Sequence, residues 1–289
     1  MESSEYALPP VGAMFGRAFG STWRGILRMP LLFISAFAGA VAVAFASKFL
    51  GANPLKNAAL ITGGLTAMEG LKVLAGVFLI YLFQSIFLAP VAVAMHRFII
   101  RGETTKGIVS IGPAHTRLFL FWLMLIEAVR IASMLPSALN PPPDLRTLTV
   151  IAVYVVALTI AVIGVRICLL FPSAAIDAPS SSFFGRAAQS WRATRGHFWY
   201  IFAVGLLIAL VVTVPTSIVV TSLAMSKVIS GIASGGPPPK PDMVLDMFTS
   251  APVLVLTALE YVVLTAAAAA GLSWIYRALV EKSVGATPA

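Results

Sequence analysis

The residues able to do chemistry in this chain are the few ionisable ones set within or beside long apolar segments: Glu69, Lys72, Glu127, Arg130, Arg166 and Glu260. Counted from residue 118 at about 1.5 Å per helical residue, Arg130 lies about 18 Å inside its segment. Glu260 enters its own segment from the opposite end and reaches a similar depth, with Glu127 one helical turn from Arg130, so the three can meet. Charge at that depth is costly and turns toward a bundle interior or a water-filled cavity. Glu127, Arg130 and Glu260 are therefore a candidate polar site for a lipid or small amphipathic solute. The plainer alternative is a structural interhelical ion pair made by the same residues. Arg166 falls near a segment edge, where its stem can snorkel, and Glu69 and Lys72 fall at the opposite interface.

Other chemistries lack their residues. The lone Cys168 lies in an apolar run and reads as a small buried hydrophobe, with no intrachain disulfide to form. His96, His115 and His197 have neither metal-ligand spacing nor nearby carboxylate pairs. No GxSxG context is present. The glycines of SGIASGGPPP have no strand before them and no Lys-Ser after them, so they do not make a phosphate loop. No catalytic, metal or cofactor site is expected, and enzymes are the function class with least support.

The elements that must hold such residues follow from composition. Of 289 residues, 59% are hydrophobic and 11% charged, and mean hydropathy is +0.94, whereas soluble domains carry about 25% charged residues. An all-α integral membrane protein is the expected class. Segments 31–50, 73–97, 118–136, 148–171, 201–223 and 253–276 each reach the roughly 20 residues needed for one crossing. Six crossings make three hairpins with both termini on one side. Residues 1–10 read as a disordered leader, 11–279 as one membrane domain and 280–289 as a tail. The apolar text at 58–70 is broken by Gly63, Gly64 and Gly70 and reads as a surface or re-entrant piece. The stretch 225–243, rich in Gly, Pro and Ser, reads as a mobile loop.

Two further segments, 11–29 and 182–197, fit cytoplasmic interfacial helices preceding the first and fifth crossings. In the first, Phe15, Ala18, Phe19, Thr22, Trp23 and Ile26 share one face and Arg17, Ser21, Arg24 and Arg28 the other. In the second, Phe184, Ala187, Ala188 and Trp191 form the apolar face, with Arg186 and Arg192 beside or across from it. Arg17, Arg24, Arg28, Arg186 and Arg192 are candidates to contact anionic headgroups, at about 1 kcal/mol each. Topology signalling alone explains them as well. Arg195 falls on the apolar side and is expected to turn inward near Gly196, toward backbone carbonyls or Asp177.

The two segments also resemble each other. Phe15-Gly16-Arg17-Ala18 recurs as Phe184-Gly185-Arg186-Ala187, and Trp23-Arg24 as Trp191-Arg192. Common origin of the first and third hairpins accounts for this, whereas the arginines of the middle hairpin follow equally from the positive-inside rule. Of the 20 Lys and Arg, Lys72, Arg130 and Arg166 lie in or at the edge of spans and Lys48, Lys56, Arg146, Lys227 and Lys240 fall on one side. The remaining twelve fall on the side of the termini, which is therefore expected to be cytoplasmic. The net charge of +9 thus points to a membrane surface and not to nucleic acid.

At 190–199 the text SWRATRGHFW resembles the motif of a bacterial family of six-helix inner-membrane proteins, through Ser190, Trp191, Thr194, Arg195, Gly196, Phe198 and Trp199. That family includes the membrane domain attached to some glycerophosphoryl diester phosphodiesterases, and stand-alone relatives. The resemblance implies a bacterial inner-membrane location and a membrane module without a catalytic domain, since only a short tail follows the last crossing. The expected role is a non-enzymatic accessory or organising module for membrane components or lipids, partnered by anionic bilayer lipid and by another membrane protein. The alternative is a transporter of a lipid or small amphipathic solute that uses the Glu127, Arg130 and Glu260 region. A transporter requires a cavity reaching those residues, and a scaffold a closed bundle.

Overall fold

The computed structural model describes residues 8–50, 66–138, 141–177, 183–233 and 249–281. Within them the regular elements are all helical: α1 (Val11–Arg28), α2 (Pro30–Leu50), α3 (Ala67–Arg101), α4 (Ala114–Ala132), α5 (Leu135–Ala138), α6 (Pro143–Ile167), α7 (Leu170–Ala175), α8 (Phe183–Ala193), α9 (Phe198–Ala233), α10 (Ala251–Tyr276) and a terminal π-turn (Arg277–Glu281). Among the described residues, five stretches are long and apolar enough to cross a membrane: Pro30–Ser47, Ala67–Arg101, Asp144–Ile167, Phe198–Leu223 and Ala251–Val280. The expected third crossing, α4, is not among them. It is 19 residues long and carries Arg117, Glu127 and Arg130, so charge density sets it apart.

Several boundaries differ from expectation for identifiable reasons. α3 starts at Ala67, before residue 73, because Thr66 and Glu69 form a capping box: the Glu69 carboxylate accepts from the Thr66 N–H (2.9 Å) and Thr66 Oγ1 accepts from the Glu69 N–H (3.4 Å). The expected fourth crossing breaks at Cys168 and Leu169, so that α7 is a separate helix. α9 continues to Ala233, making the first part of the expected mobile loop helical. Residues 1–7, the piece at 58–65, the rest of that loop to 243 and the tail from 282 lie outside the described residues.

The core is built around α10, which packs against α1, α2, α3 and α9, while α2 and α4 pack on α3. Small residues make this possible. Ala266, Ala267, Ala269 and Ala270 are at most 3% exposed, and the missing side chain of Gly271 is filled by Ile208. Lipid tails are as apolar as Leu, so close packing of such surfaces, and not expulsion from water, holds membrane helices together. A second, smaller core joins Val73 and Leu74 of α3 to Ile131 and Ala138 at the far end of α4 and α5.

α1 has three flanks instead of two. Met14, Ala18, Ser21, Thr22 and Gly25 are buried, and Ser21 Oγ accepts from the Trp274 indole at 3.1 Å. Trp23, which shares the apolar face with Ala18 and Thr22, is 62% exposed. Protein therefore takes the small-residue flank, leaving Trp23 and Leu27 on the outer apolar one. Gly12, Gly16 and Gly20 have open space where a Cβ would stand. The triple replacement of these glycines by Ala is expected to raise stability by about 2 kcal/mol, read as a higher unfolding midpoint in detergent.

At the arginine-rich end, guanidinium groups donate to carbonyls at the ends of helices. Arg97 Nη1 donates to Ala175 O (3.0 Å), Arg166 Nη1 to Thr194 O (2.9 Å) and Arg277 Nη1 to Ile99 O (3.3 Å). Arg101 donates to Ile176 O. Asp177, in the left-handed region at φ 51, accepts from Arg97 and faces His115. Burial, reinforced by the Arg97 guanidinium, holds His115 below the usual imidazole range despite Asp177.

The 190–199 motif has a structural role in the same layer. Ser190 Oγ accepts from the Leu169 N–H (3.2 Å) and donates to Arg166 O (2.9 Å), and Thr194 Oγ1 donates to the same carbonyl at 3.1 Å. The Arg166 guanidinium lies over Trp191 (5.7 Å) and Phe198 (5.4 Å). Gly196 sits at φ 84, a left-handed turn that glycine adopts without strain, and joins α8 to α9. Arg195 is exposed, contrary to expectation. The carbonyl at this bend is capped by Arg166, and Asp177 by Arg97. Trp199, 76% exposed, faces outward. Ser190→Ala leaves the buried Leu169 N–H without its acceptor and is expected to cost about 1–3 kcal/mol, checked by thermal unfolding.

Candidate intramembrane site

Three helices converge on one cleft because each presents a stripe at helical spacing. α3 contributes Tyr81, Gln84, Ser85, Leu88, Ala92 and His96, α4 Phe119, Leu123 and Glu127, and α10 Tyr261, Leu264, Thr265, Ala268, Ala269 and Leu272. Phe171 adds to the wall, and the cleft has a volume of about 440 Å³. From Tyr81 to His96 it extends about 22 Å along α3. Its walls are apolar, with polar groups at both ends and between.

At one end Glu127 and Arg130 pair. Both Nε and Nη2 of Arg130 donate to Glu127 Oε2 at 2.7 Å. The guanidinium also lies over the Tyr81 ring at 4.5 Å, a cation–π contact. Neither partner is sealed off, with 22% of the Glu127 side chain and 34% of Arg130 exposed. Glu260 is half-buried and has no ion pair with Arg130 among the described residues. Arg130 instead takes a carboxylate one turn back on its own helix, and position 260 is rotated off the stripe that Tyr261, Leu264 and Ala268 turn toward the cleft. The expected pair exists within one helix and does not bridge two.

At the other end His96 is 1% exposed, with Nδ1 2.7 Å from Ser273 Oγ. The Ser273 hydroxyl directs its single proton to Ala269 O at 2.8 Å. In the neutral ring Nδ1 must then carry the proton and donate to Ser273, which leaves Nε2 as an acceptor. Between the ends, Gln84 and Ser85 are 7% and 6% exposed.

Tyr81, Gln84, Ser85, His96, Tyr261 and Ser273 are the residues that sequence reasoning missed. A signal was available, since Tyr81, Gln84 and Ser85 place three polar groups close together in the otherwise apolar stretch 73–95 of α3. Of the interfacial arginines, Arg17 lies over Trp274 (5.7 Å), Arg28 lies over Phe98 (5.8 Å), Arg24 donates to Gly20 O (3.2 Å) and Arg192 donates to Ala188 O (3.4 Å). Arg186 is half-buried. The first four are held locally.

A second cleft, also of about 440 Å³, lies on the opposite side of α10 between α6 and α9 and is almost wholly apolar. The two clefts share Ala268 and Leu272. No protein-family model, curated protein or solved structure matches this chain.

Proposed function

We propose that this chain is a non-enzymatic, six-crossing inner-membrane protein that binds and moves a lipid or small amphipathic solute through the cleft between α3, α4 and α10. One observation carries the reading: the cleft reaches Glu127, so apolar walls for a chain and polar groups for a head lie in one continuous site. The partly exposed Glu127 and Arg130 pair is unfavourable against lipid tails alone and fits a site that admits a polar group. In the same proposal α4 completes the sixth crossing, the crossings pair as three hairpins, and the arginine-rich end faces the cytoplasm with both termini. Anionic headgroups then lie against Arg17, Arg24, Arg28, Arg186 and Arg192. Kinship with the six-helix family that includes phosphodiesterase membrane domains belongs to the same reading, supported by the structural use of Ser190 and Thr194.

Leu123→Trp fills the cleft without touching the ion pair. Native mass spectrometry of the protein extracted in mild detergent should show a bound amphiphile that falls about tenfold in this variant. Equal retention by Leu123→Trp would sink the reading.

A second role, an organising module for another membrane protein, is favoured by α6. Only 6% of its span is buried, against 50% of α3. Site-directed cross-linking from Tyr154, on the outward face of α6, tests it. A partner protein captured there in place of lipid supports that role, and lipid alone removes it.

A further inference from the structure

Resting on the amphiphile-binding reading, we infer that the occupant of the cleft is an uncharged membrane lipid with a free hydroxyl head, such as a diacylglycerol. Two independent features point to it. The first is charge. Of the ion pair, Glu127 lines the cleft, whereas Arg130 is turned over the Tyr81 ring with two bonds to the Glu127 carboxylate. An anionic head entering here meets a carboxylate first. The guanidinium behind it is already neutralised, so a phosphate loses its water without gaining a countercharge. A cationic head fares little better, because the Glu127 charge is matched by Arg130.

The second feature is unfilled hydrogen-bonding capacity. Gln84 and Ser85 line the cleft, are more than nine-tenths buried, and have no hydrogen-bond partner among the described residues. Their polar atoms are not sealed off but open onto the cleft, where an amide and a hydroxyl between apolar walls gain by finding a partner. Gln84 supplies two N–H donors and a carbonyl acceptor, and Ser85 supplies one donor and acceptor lone pairs. Tyr81, Gln84 and Ser85 lie within about 6 Å along α3, the size of a glycerol head with one free hydroxyl and ester carbonyls. The remaining length to His96, lined by Leu88, Ala92, Phe119, Leu123, Leu264 and Leu272, suits an acyl chain.

The test uses the full chain in phosphatidylcholine nanodiscs with three photoactivatable dioleoyl probes sharing the same chains: dioleoylglycerol, the anionic phosphatidic acid and a cationic trimethylammonium lipid. Cross-links are mapped to peptides. Dioleoylglycerol is expected to label 81–96 and 261–272 at least about tenfold more than either charged probe. Gln84→Leu should reduce that labelling about fivefold to tenfold, the effect of one lost buried hydrogen bond. The variant removes no bond within the protein, so its unfolding midpoint should match that of the parent chain. Gln189→Leu, at an exposed position on α8, should leave labelling unchanged. Labelling of the cleft by a charged probe as strong as by dioleoylglycerol, or an indifferent Gln84→Leu, overturns the headgroup assignment and leaves amphiphile binding standing. Absence of cleft labelling by all three probes overturns both.

Discussion

Glu127→Gln should destabilise the protein by about 2–4 kcal/mol, more than any other single change at the cleft. The variant weakens both 2.7 Å bonds to Arg130 and leaves a half-buried cation with the Tyr81 ring as its other support. Arginine cannot shed its proton to escape. Arg130→Leu should cost less, because a stranded carboxylate can take up a proton and become neutral. The double variant Glu127→Gln with Arg130→Gln should recover most of the loss, since stranding one member of a half-buried pair costs more than replacing it whole. Denaturant titration in mixed micelles orders the variants. Equal costs for Glu127→Gln and Arg130→Leu would show that the stranded cation is not the dominant cost. Glu260→Gln, which breaks no ion pair among the described residues, should fall within about 0.5 kcal/mol of the parent.

Gly70→Ala should cost about 2–4 kcal/mol although it adds one methyl group. A Cβ at this position would stand on the backbone of Ala138, its carbonyl oxygen included, and backbone cannot rotate aside as a side chain does. To admit it, α3 must part from α5, opening the small core of Val73, Leu74, Ile131 and Ala138. Tyr81 packs against that core, so the movement should also loosen the Arg130 end of the cleft. At Gly39 the neighbour is the Phe87 ring, which can swing, and Gly39→Ala should cost less. Thermal unfolding of the two variants beside the stabilised α1 alanine variant provides the comparison. A Gly70→Ala protein as stable as the parent would contradict the close approach of α3 and α5.

Periodicity and hydropathy made much of this fold readable. Long apolar runs and the alanine-rich seam of α10 follow from hydropathy and composition, and α1 and α8 as amphipathic helices from residues that recur every third or fourth position. The capping box at Thr66 and Glu69 and the polar turn at Tyr81, Gln84 and Ser85 were equally local signals. They are legible in principle, although Gly63, Gly64 and Gly70 break the apolar text around the box and the polar turn carries no charge.

Local sequence determined that this chain is helical and apolar enough to cross a membrane, and that Glu127 and Arg130 would share a helix one turn apart. Tertiary structure alone decided that Arg130 turns to Glu127 and not to Glu260, that Arg166 caps Thr194 in place of Arg195 turning inward, and that three stripes face one another across a cleft. The physical reason is the same in each case. A helix dictates which residues share its face through bonds within the chain, but the partner of a face depends on helix rotation and approach. Contacts between residues far apart in sequence set both, as where Gly70 meets Ala138 or Ser273 meets His96.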